Sequence, residues 1–516
     1  MSQILHIFRK DARRHWPEIA ASLILVALYA WHEPANWHGE TAFASDTFFL
    51  LQILWRFLPG LVFISWFLLI IRSVQSESLV GDRQFWITRP YEWWKLLAAK
   101  VLFVLAFVNA PYFIADAILL HRAGFSVFAH LSGLLEVQAV MAVTAFLVVA
   151  TLATVTSGIG HLLLAALAVL LYLLSVGSLS DSIRDSGMTP GPLPATVIFF
   201  LMLGTCFFVI CWQYARRRTL QSRIAIVAFL LSTLLISVAT PYRWQIQRAY
   251  PLPQNGEEPL ARFTPETLES QSEDSVRFLE GQKYVDLHLP LRASGLAQDL
   301  VVVRGLLVEV EGPDGFQADS HWRQEFTPLG LYGNRFEARF WLDKKAFDRA
   351  KSSSVKLRVS VALTAYKLQN RRTVSASAEP AFIPTLGECS IERSNKGVFQ
   401  CLTAIRPPAL LAQVDRSDLT CSVSGASAPP PPTAYWRSGD WTESSDFAPE
   451  IDPVGRMEIW FSTQDANGIS LFWNICPGTP ITLRTPRADR TSRTVFEVDG
   501  VHLPDLLVKT PTGLSR

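Results

Sequence analysis

Charge is scarce at the N-terminal end of this sequence. Only 28 of the first 241 residues are Asp, Glu, Lys or Arg, against 64 of the remaining 275. Soluble domains carry about 25% charge, so the first part is not an ordinary soluble domain. A formal net charge of +2 over 516 residues excludes the broad basic face that a nucleic-acid binder needs. Chemical signatures are also missing. There is no GxxxxGK[ST], so this chain builds no Walker loop for ATP phosphates. HExxH, GxSxG and GxGxxG are absent as well, and no enzyme or bound cofactor is expected. The six cysteines form no CxxC or Cys/His spacing suited to zinc. His32 and His38, in Trp31-His32-Glu33 and Trp37-His38-Gly39-Glu40, fit an interfacial aromatic belt better than a metal site.

What fills the first part is apolar. Seven runs, near 18–34, 47–71, 97–120, 132–156, 159–178, 194–214 and 223–241, approach the ~20 residues that cross a bilayer as a helix. The first is the weakest, because Ile19 to Trp31 reaches only ~20 Å at ~1.5 Å per residue. Basic residues set the orientation. Arg9, Lys10, Arg13 and Arg14 precede the first run. Arg72, Arg83, Arg89, Lys95 and Lys100 follow the second, and Arg216, Arg217, Arg218 and Arg223 follow the sixth. The alternate connections hold almost none. The expectation is a cytoplasmic N-terminus, with seven crossings placing the C-terminal region outside. That parity depends on the uncharged turn at Ser157, Gly158 and Gly160. A cleaved signal peptide ending at Ala42-Phe43-Ala44 is the competing reading, but the triplet lies too far beyond its apolar run.

Residues 3–16 put Ile4, Ile7 and Phe8 on one helical face and Arg9, Lys10, Arg13 and Arg14 mostly on the other. The segment 1–17 is therefore expected to lie in the cytoplasmic interface and turn into the membrane at Pro17. The alternative is a bare orienting charge cluster.

Beyond residue 241 the pattern changes. Residues 242–275 read as a linker, polar and Pro/Glu/Ser-rich from 251 onward. Period-2 alternation then marks strands: Val285, Leu287, Leu289 and Leu291; Phe336, Ala338 and Phe340; Val355 to Leu363; Met457, Ile459 and Phe461. A short helix is expected at 343–352. The Pro429–Pro432 run reads as a stiff loop or a module boundary. The expected fold is a polytopic α-helical membrane domain over 18–241. An all-β, sandwich-like extracytoplasmic domain of one or two modules follows over 276–516. Cys389, Cys401, Cys421 and Cys476 all fall in that domain. An oxidising exterior permits one or two disulfides, with three pairings open. The seven tryptophans after residue 241 serve either a sandwich core or a stacking platform for sugars.

Three ionisable residues interrupt the apolar runs: Arg56, Asp116 and Glu136. Such residues are costly in lipid. They serve either a polar substrate path or proton relay, or a structural ion pair, and an Arg56–carboxylate pairing is compatible with their depths. The connection 72–96 is dense in charge and aromatic residues, including Glu77, Asp82, Arg83, Phe85, Trp86, Arg89 and Trp93. It suits docking to a cytosolic protein, or resting on lipid headgroups.

Ile7-Phe8-Arg9-Lys10-Asp11, followed by Glu77…Gly81…Thr88-Arg89-Pro90…Leu96-Leu97…Lys100, resembles the ABC-2 type permease family, the membrane subunits of certain ABC exporters. The resemblance covers about the first 240 residues. It implies an interfacial helix at 3–16 and contact between 77–95 and a separate ABC ATPase that holds the ATP. It also implies a homo- or heterodimer of permease subunits. The family core has six helices, and this chain adds a seventh and a β-domain. The competing expectation is a membrane-anchored receptor or assembly protein whose β-domain binds an envelope partner. A third, an intramembrane enzyme using Asp116 or Glu136, lacks a nucleophile or metal set.

Overall fold

The computed structural model describes residues 2–37, 49–76, 92–184, 192–239, 242–254, 256–266, 284–296, 300–330, 334–377, 379–383, 386–391, 399–405, 410–414, 433–437, 453–459, 461–464, 470–473 and 477–507. The chain begins as helices: α1 (Ser2–Arg14), α2 (Trp16–Trp37) and α3 (Phe49–Gln75). Next come two long rods, each interrupted by a π turn. The first joins α4 (Trp93–Val104) and α5 (Ala110–Arg122) through Leu105–Asn109. The second joins α6 (Leu131–Met141) and α7 (Leu147–Val155) through Ala142–Phe146. The helices α8 (Ile159–Arg184), α9 (Pro192–Arg216), α10 (Thr219–Ala239) and α11 (Tyr242–Ala249) complete the region.

The helix interruptions have local causes. Pro111 has no amide hydrogen and its ring crowds the carbonyl one turn back, which loosens the ladder over 105–109. In the second rod Thr144 Oγ1 donates to the Val140 carbonyl at 2.8 Å, competing with the backbone there.

Five helical stretches among the described residues are long and apolar enough to cross a membrane: Phe57–Gln75, Trp93–Arg122, Leu131–Val155, Thr196–Arg216 and Thr219–Ile236. The chain is a multi-pass membrane protein by this composition. Ile159–Ser175 is a shorter apolar helix. Helix α2, which contains the weakest of the seven runs, carries Glu18 in its first turn and Pro34 inside it. Among the described residues, five of the seven expected spans thus meet the length and apolarity needed.

Contacts sort the helix ends. Gln75 Nε2 donates to Thr156 Oγ1 at 3.3 Å, and the Arg223 guanidinium donates twice to the Val155 carbonyl, at 3.0 and 3.3 Å. The ends of α3 and α7 and the start of α10 therefore gather at one end of the bundle. At the other end, Arg122 Nη1 donates to the Ala30 carbonyl at 3.4 Å.

The strands follow as β1 (Arg262–Pro265), β2 (Tyr284–Ser294), β3 (Leu300–Glu311), β4 (Gln317–Asp319), β5 (Arg323–Leu329), β6 (Arg335–Asp343), β7 (Val355–Ser375), β8 (Ala381–Ile383), β9 (Gly387–Ile391) and β10 (Phe399–Ala404). Then come β11 (Leu410–Val414), β12 (Thr433–Arg437), β13 (Val454–Ile459), β14 (Phe461–Gln464), β15 (Ser470–Trp473) and β16 (Pro480–Val501). A short helix, α12 (Lys344–Ala350), lies where one was expected, and Asp343 caps it by accepting from the Lys345 amide at 2.8 Å. Helix α11 and strand β1 both lie inside the 242–275 stretch read as a linker.

The described strands form antiparallel sheets ordered β1-β2-β6, β13-β10-β9-β8 and β15-β14-β12-β11-β16-β7-β3-β4, with β5 also on β3. The alternation was accurate: Val285, Leu287, Leu289 and Leu291 are all buried and share one core with Val301, Leu306, Leu357 and Val359. Strand β7 departs from alternation, with every residue from Val359 to Tyr366 buried. Its second face is covered, because Ile246 of α11 and Trp322 pack on Ala362 and Leu307.

The four-stranded sheet sits against the helices. Phe382 of β8 packs on Phe125, in the turn between α5 and α6, with ring centroids 5.9 Å apart. Leu402, Ala404 and Val454 join the helical core cluster. Gly387 has φ +101°, and a Cβ there would lie 1.9 Å from the Leu402 carbonyl oxygen and 2.4 Å from Phe125 Cζ. Only glycine permits this approach.

Candidate functional site

Two buried polar arrangements stand out in the helical region. The first joins α1 to the bundle. Ile7, Asp11 and His15 recur at helical spacing and are buried, while Arg9, Lys10, Arg13 and Arg14 are exposed. Lys100 Nζ lies 2.7 Å from Asp11 Oδ2, with side chains only 4% and 1% exposed. Lys100 also donates to Ser76 Oγ at 3.3 Å. An ion pair this buried loses its hydration, so each charge depends on the other. Phe8 stacks on Phe107 at 5.6 Å, and His15 meets Phe103 edge-on at 6.3 Å. Burial holds the His15 pKa below its ordinary value. The pair thus ties α1, the end of α3 and the first turns of α4 into one unit, at both ends of the 77–91 connection.

The second arrangement lies between the two interrupted rods. Asn109 ends the first π turn, and its Nδ2 donates to Gln138 Oε1 at 3.2 Å. Gln138 Nε2 donates to Asp116 Oδ2 at 3.4 Å. Asp116 is fully buried and Gln138 nearly so. At ~1.5 Å per residue, the cluster reaches from roughly 9 to 20 Å below the end of α5, through much of one leaflet. Trp66 forms a wall nearby, with ring centroids 5.0 Å from Tyr112 and 5.9 Å from Phe146. π turns often mark working positions in helices. The set can bind a hydrogen-bond donor or hold a proton. It contains no nucleophile.

The expected site residues fall in different places. Asp116 belongs to the polar cluster. Glu136 lies on an exposed face of α6, because residues two apart on a helix point away from each other, and Gln138 turns inward instead. Arg56 lies in α3, with its side chain outside the described residues, so its pairing lies outside them too. Glu77, Asp82, Arg83, Phe85, Trp86 and Arg89 also fall outside. Trp93 begins α4 and is 43% exposed beside Trp94 at 46%. Cys389 and Cys401 sit opposite each other on β9 and β10 and form a disulfide. Cys421, Cys476 and His38 lie outside the described residues. Among those residues, no group of three or more His, Cys, Asp or Glu could hold a metal ion. Trp322 is a core residue, and Trp341 is 39% exposed with the Arg323 guanidinium 4.9 Å from its ring centroid; the other five tryptophan side chains lie outside the described residues.

Asn109 and Gln138 escaped the sequence reading, which weighed only ionisable residues. Carboxamides inside an apolar run were the available signal. The sequence matches no protein-family model and no curated protein.

Proposed function

We propose that this chain is an ABC-2-like permease subunit that works with a separate ATPase to move a substrate across a bacterial inner membrane. Seven helices cross, the N-terminus is cytoplasmic, and a sandwich-like β-domain stands outside. The observation that carries the reading is the buried Asp11–Lys100 pair. It joins the ends of the two segments that resemble the family, and so makes a stiff frame around 77–91. A push delivered to that connection by an ATPase would reach α1, α3 and α4 together rather than bending one loop. The Asn109–Gln138–Asp116 cluster supplies polar groups along the moving rods. The disulfide in the β-region and the basic residues at the opposite end of the bundle support the orientation.

Copurification tests this reading. An ATPase should accompany the full chain from native membranes and be lost when Phe85, Arg89 and Trp93 are changed to Ala. If the chain purifies alone and these changes alter nothing, the anchored-receptor reading gains. The docking of Phe382 and Leu402 on the helices favours that second reading, since it presents the β-domain as a fixed platform. Cleavage of the β-domain by protease in intact spheroplasts tests the orientation, and protection would overturn it.

A further inference from the structure

The central pair of the large sheet, β7 and β16, continues beyond the end of β3, whose last partner on β7 is Tyr366. Over 367–375 and 480–490 this pair carries Lys367, Arg371, Arg372, Arg484, Arg487 and Arg490, with Asp489 the only acidic residue. The concentration is local, because residues 242–516 hold 31 basic and 33 acidic side chains. Lys367 and Arg487 are direct cross-strand partners. Like charges in that position cost folding stability. Asp489 pairs with Lys367 at 2.6 Å, and Arg490 donates to the Glu258 carbonyl at 3.1 Å. Arg371, Arg372 and Arg487 are exposed and meet no carboxylate among the described residues. Several cations elsewhere in the sheets are matched: Lys356 with Glu497, Arg358 with Glu309, and both Arg292 and Arg335 with Glu266.

The position of this strip follows from what holds its two ends. At one end, Thr491 Oγ1 donates to the Ala249 carbonyl at 3.0 Å, and the Arg493 amide to the Pro251 carbonyl at 2.9 Å. Ala249 ends α11, which starts three residues after α10 and spans only ~12 Å at ~1.5 Å per residue. At the other end, the Ala376 amide donates to the Thr479 carbonyl at 2.8 Å. Ala376 shares a core with Ile383, Leu386 and Cys389 of the sheet that packs on Phe125. The strip, ~30 Å long at ~3.3 Å per residue, is thus suspended between two attachments to the membrane helices. Excess cations held beside a bilayer attract anionic headgroups over about a Debye length, ~10 Å at 0.1 M salt.

We propose that this strip binds the phosphate groups of anionic phospholipid in the leaflet on the β-region side. The proposal does not rest on the permease reading. The full chain, in neutral detergent, is melted with added phosphatidylcholine or phosphatidylglycerol. Phosphatidylglycerol should raise the melting temperature by several degrees over phosphatidylcholine, and the rise should shrink at high salt. Combined Lys367→Gln, Arg371→Gln, Arg372→Gln and Arg487→Gln changes should abolish most of that rise and leave the melt in phosphatidylcholine near wild type. The milder pair Arg371→Gln and Arg372→Gln, both at exposed positions, should remove part of it and guards against misfolding of the fourfold variant. A separate variant with Arg9, Lys10, Arg13 and Arg14 changed to Gln measures the contribution of the opposite end. If both strip variants keep the full rise, or wild type shows none, the proposal fails. Protection of the strip by soluble polyphosphate without any effect of phosphatidylglycerol would overturn the lipid assignment in favour of a soluble polyanion.

Discussion

In the helical region many large apolar side chains point outward; in the β-region most of those described point inward. Leu164, Phe200 and Leu235 are each more than 60% exposed, whereas Leu287, Leu289, Val301 and Leu363 are at 0%. Lipid tails are as apolar as leucine, so the hydrophobic effect does not pull membrane helices together. Water makes that force the main source of cohesion for the sheets. The two regions accordingly use charge differently. The helices hold a few buried polar contacts that connect elements, such as Asp11–Lys100 and Asn109–Gln138–Asp116. The sheets place cross-strand ion pairs on their surfaces, where each contributes little. The region of contact between them is mixed, and Phe382, 52% exposed, is one of the few large apolar side chains that the described sheets display.

The contrast can be broken most directly at Lys100. Lys100→Met leaves Asp11 buried and alone, and the full chain in detergent should lose about 3–5 kcal/mol. Adding Asp11→Leu to that variant should restore most of the loss, since an apolar pair fits the same space; no recovery would mean the pair does more than hold α1. Next in size is the disulfide. Cys389 and Cys401 are 12 residues apart, and changing both to Ser should cost the β-region about 3 kcal/mol through loop closure, seen as a lower second melting transition. Gly387→Ala should cost roughly 1–3 kcal/mol from its backbone conformation and should also loosen the sheet from the helices, read as faster proteolysis after 376. A stable, protease-resistant Gly387→Ala protein would show that the close approach to Leu402 is dispensable.

Smaller effects sharpen the same contrast. Glu325 is a half-buried carboxyl in the β-region whose pKa is pushed up by burial, against the pull of Arg323, Arg339 and His288. The unfolded chain releases this proton first, from about its ordinary 4.5. Glu325 therefore weakens the fold as pH rises above that value, and the weakening is complete above the folded pKa. Glu325→Gln should raise stability at neutral pH and flatten the acid side of the melting profile; parallel profiles for the two proteins would refute the assignment. Smallest of all, Lys356→Ala should not shift the melting temperature measurably, because its pair with Glu497 is open to solvent.

Much of this architecture was legible in residue patterns. The alternation in 285–291 marked β2 and its buried face, because a strand repeats every two residues whatever surrounds it. The apolar runs marked five membrane-length helices because length and hydropathy are local quantities. The face of α1 was half legible: Ile4, Ile7 and Phe8 were placed on one apolar face, but Asp11 was assigned to neither face, since its partner lies 89 residues away. The 242–275 stretch read as a linker because β1 and α11 are short and gain order from β2, β16 and Trp322 rather than from their own composition. At Asp116 the residue was legible and its company was not, because depth estimates along an axis do not give rotation about it. Glu136 was set beside Asp116 by depth, whereas helix rotation brings Gln138 there.

By itself the sequence determined the division into a charge-poor helical part and a β-rich part, the orienting bias of the basic clusters, and the strand faces. Each depends on composition or on a short repeat. Tertiary structure alone decided which buried charges meet, which cysteines pair among the described residues, and that a basic stretch of two distant strands is tied at both ends to membrane helices. Those outcomes depend on residues brought together across tens to hundreds of positions, where chain pattern carries no register and only packing can supply it.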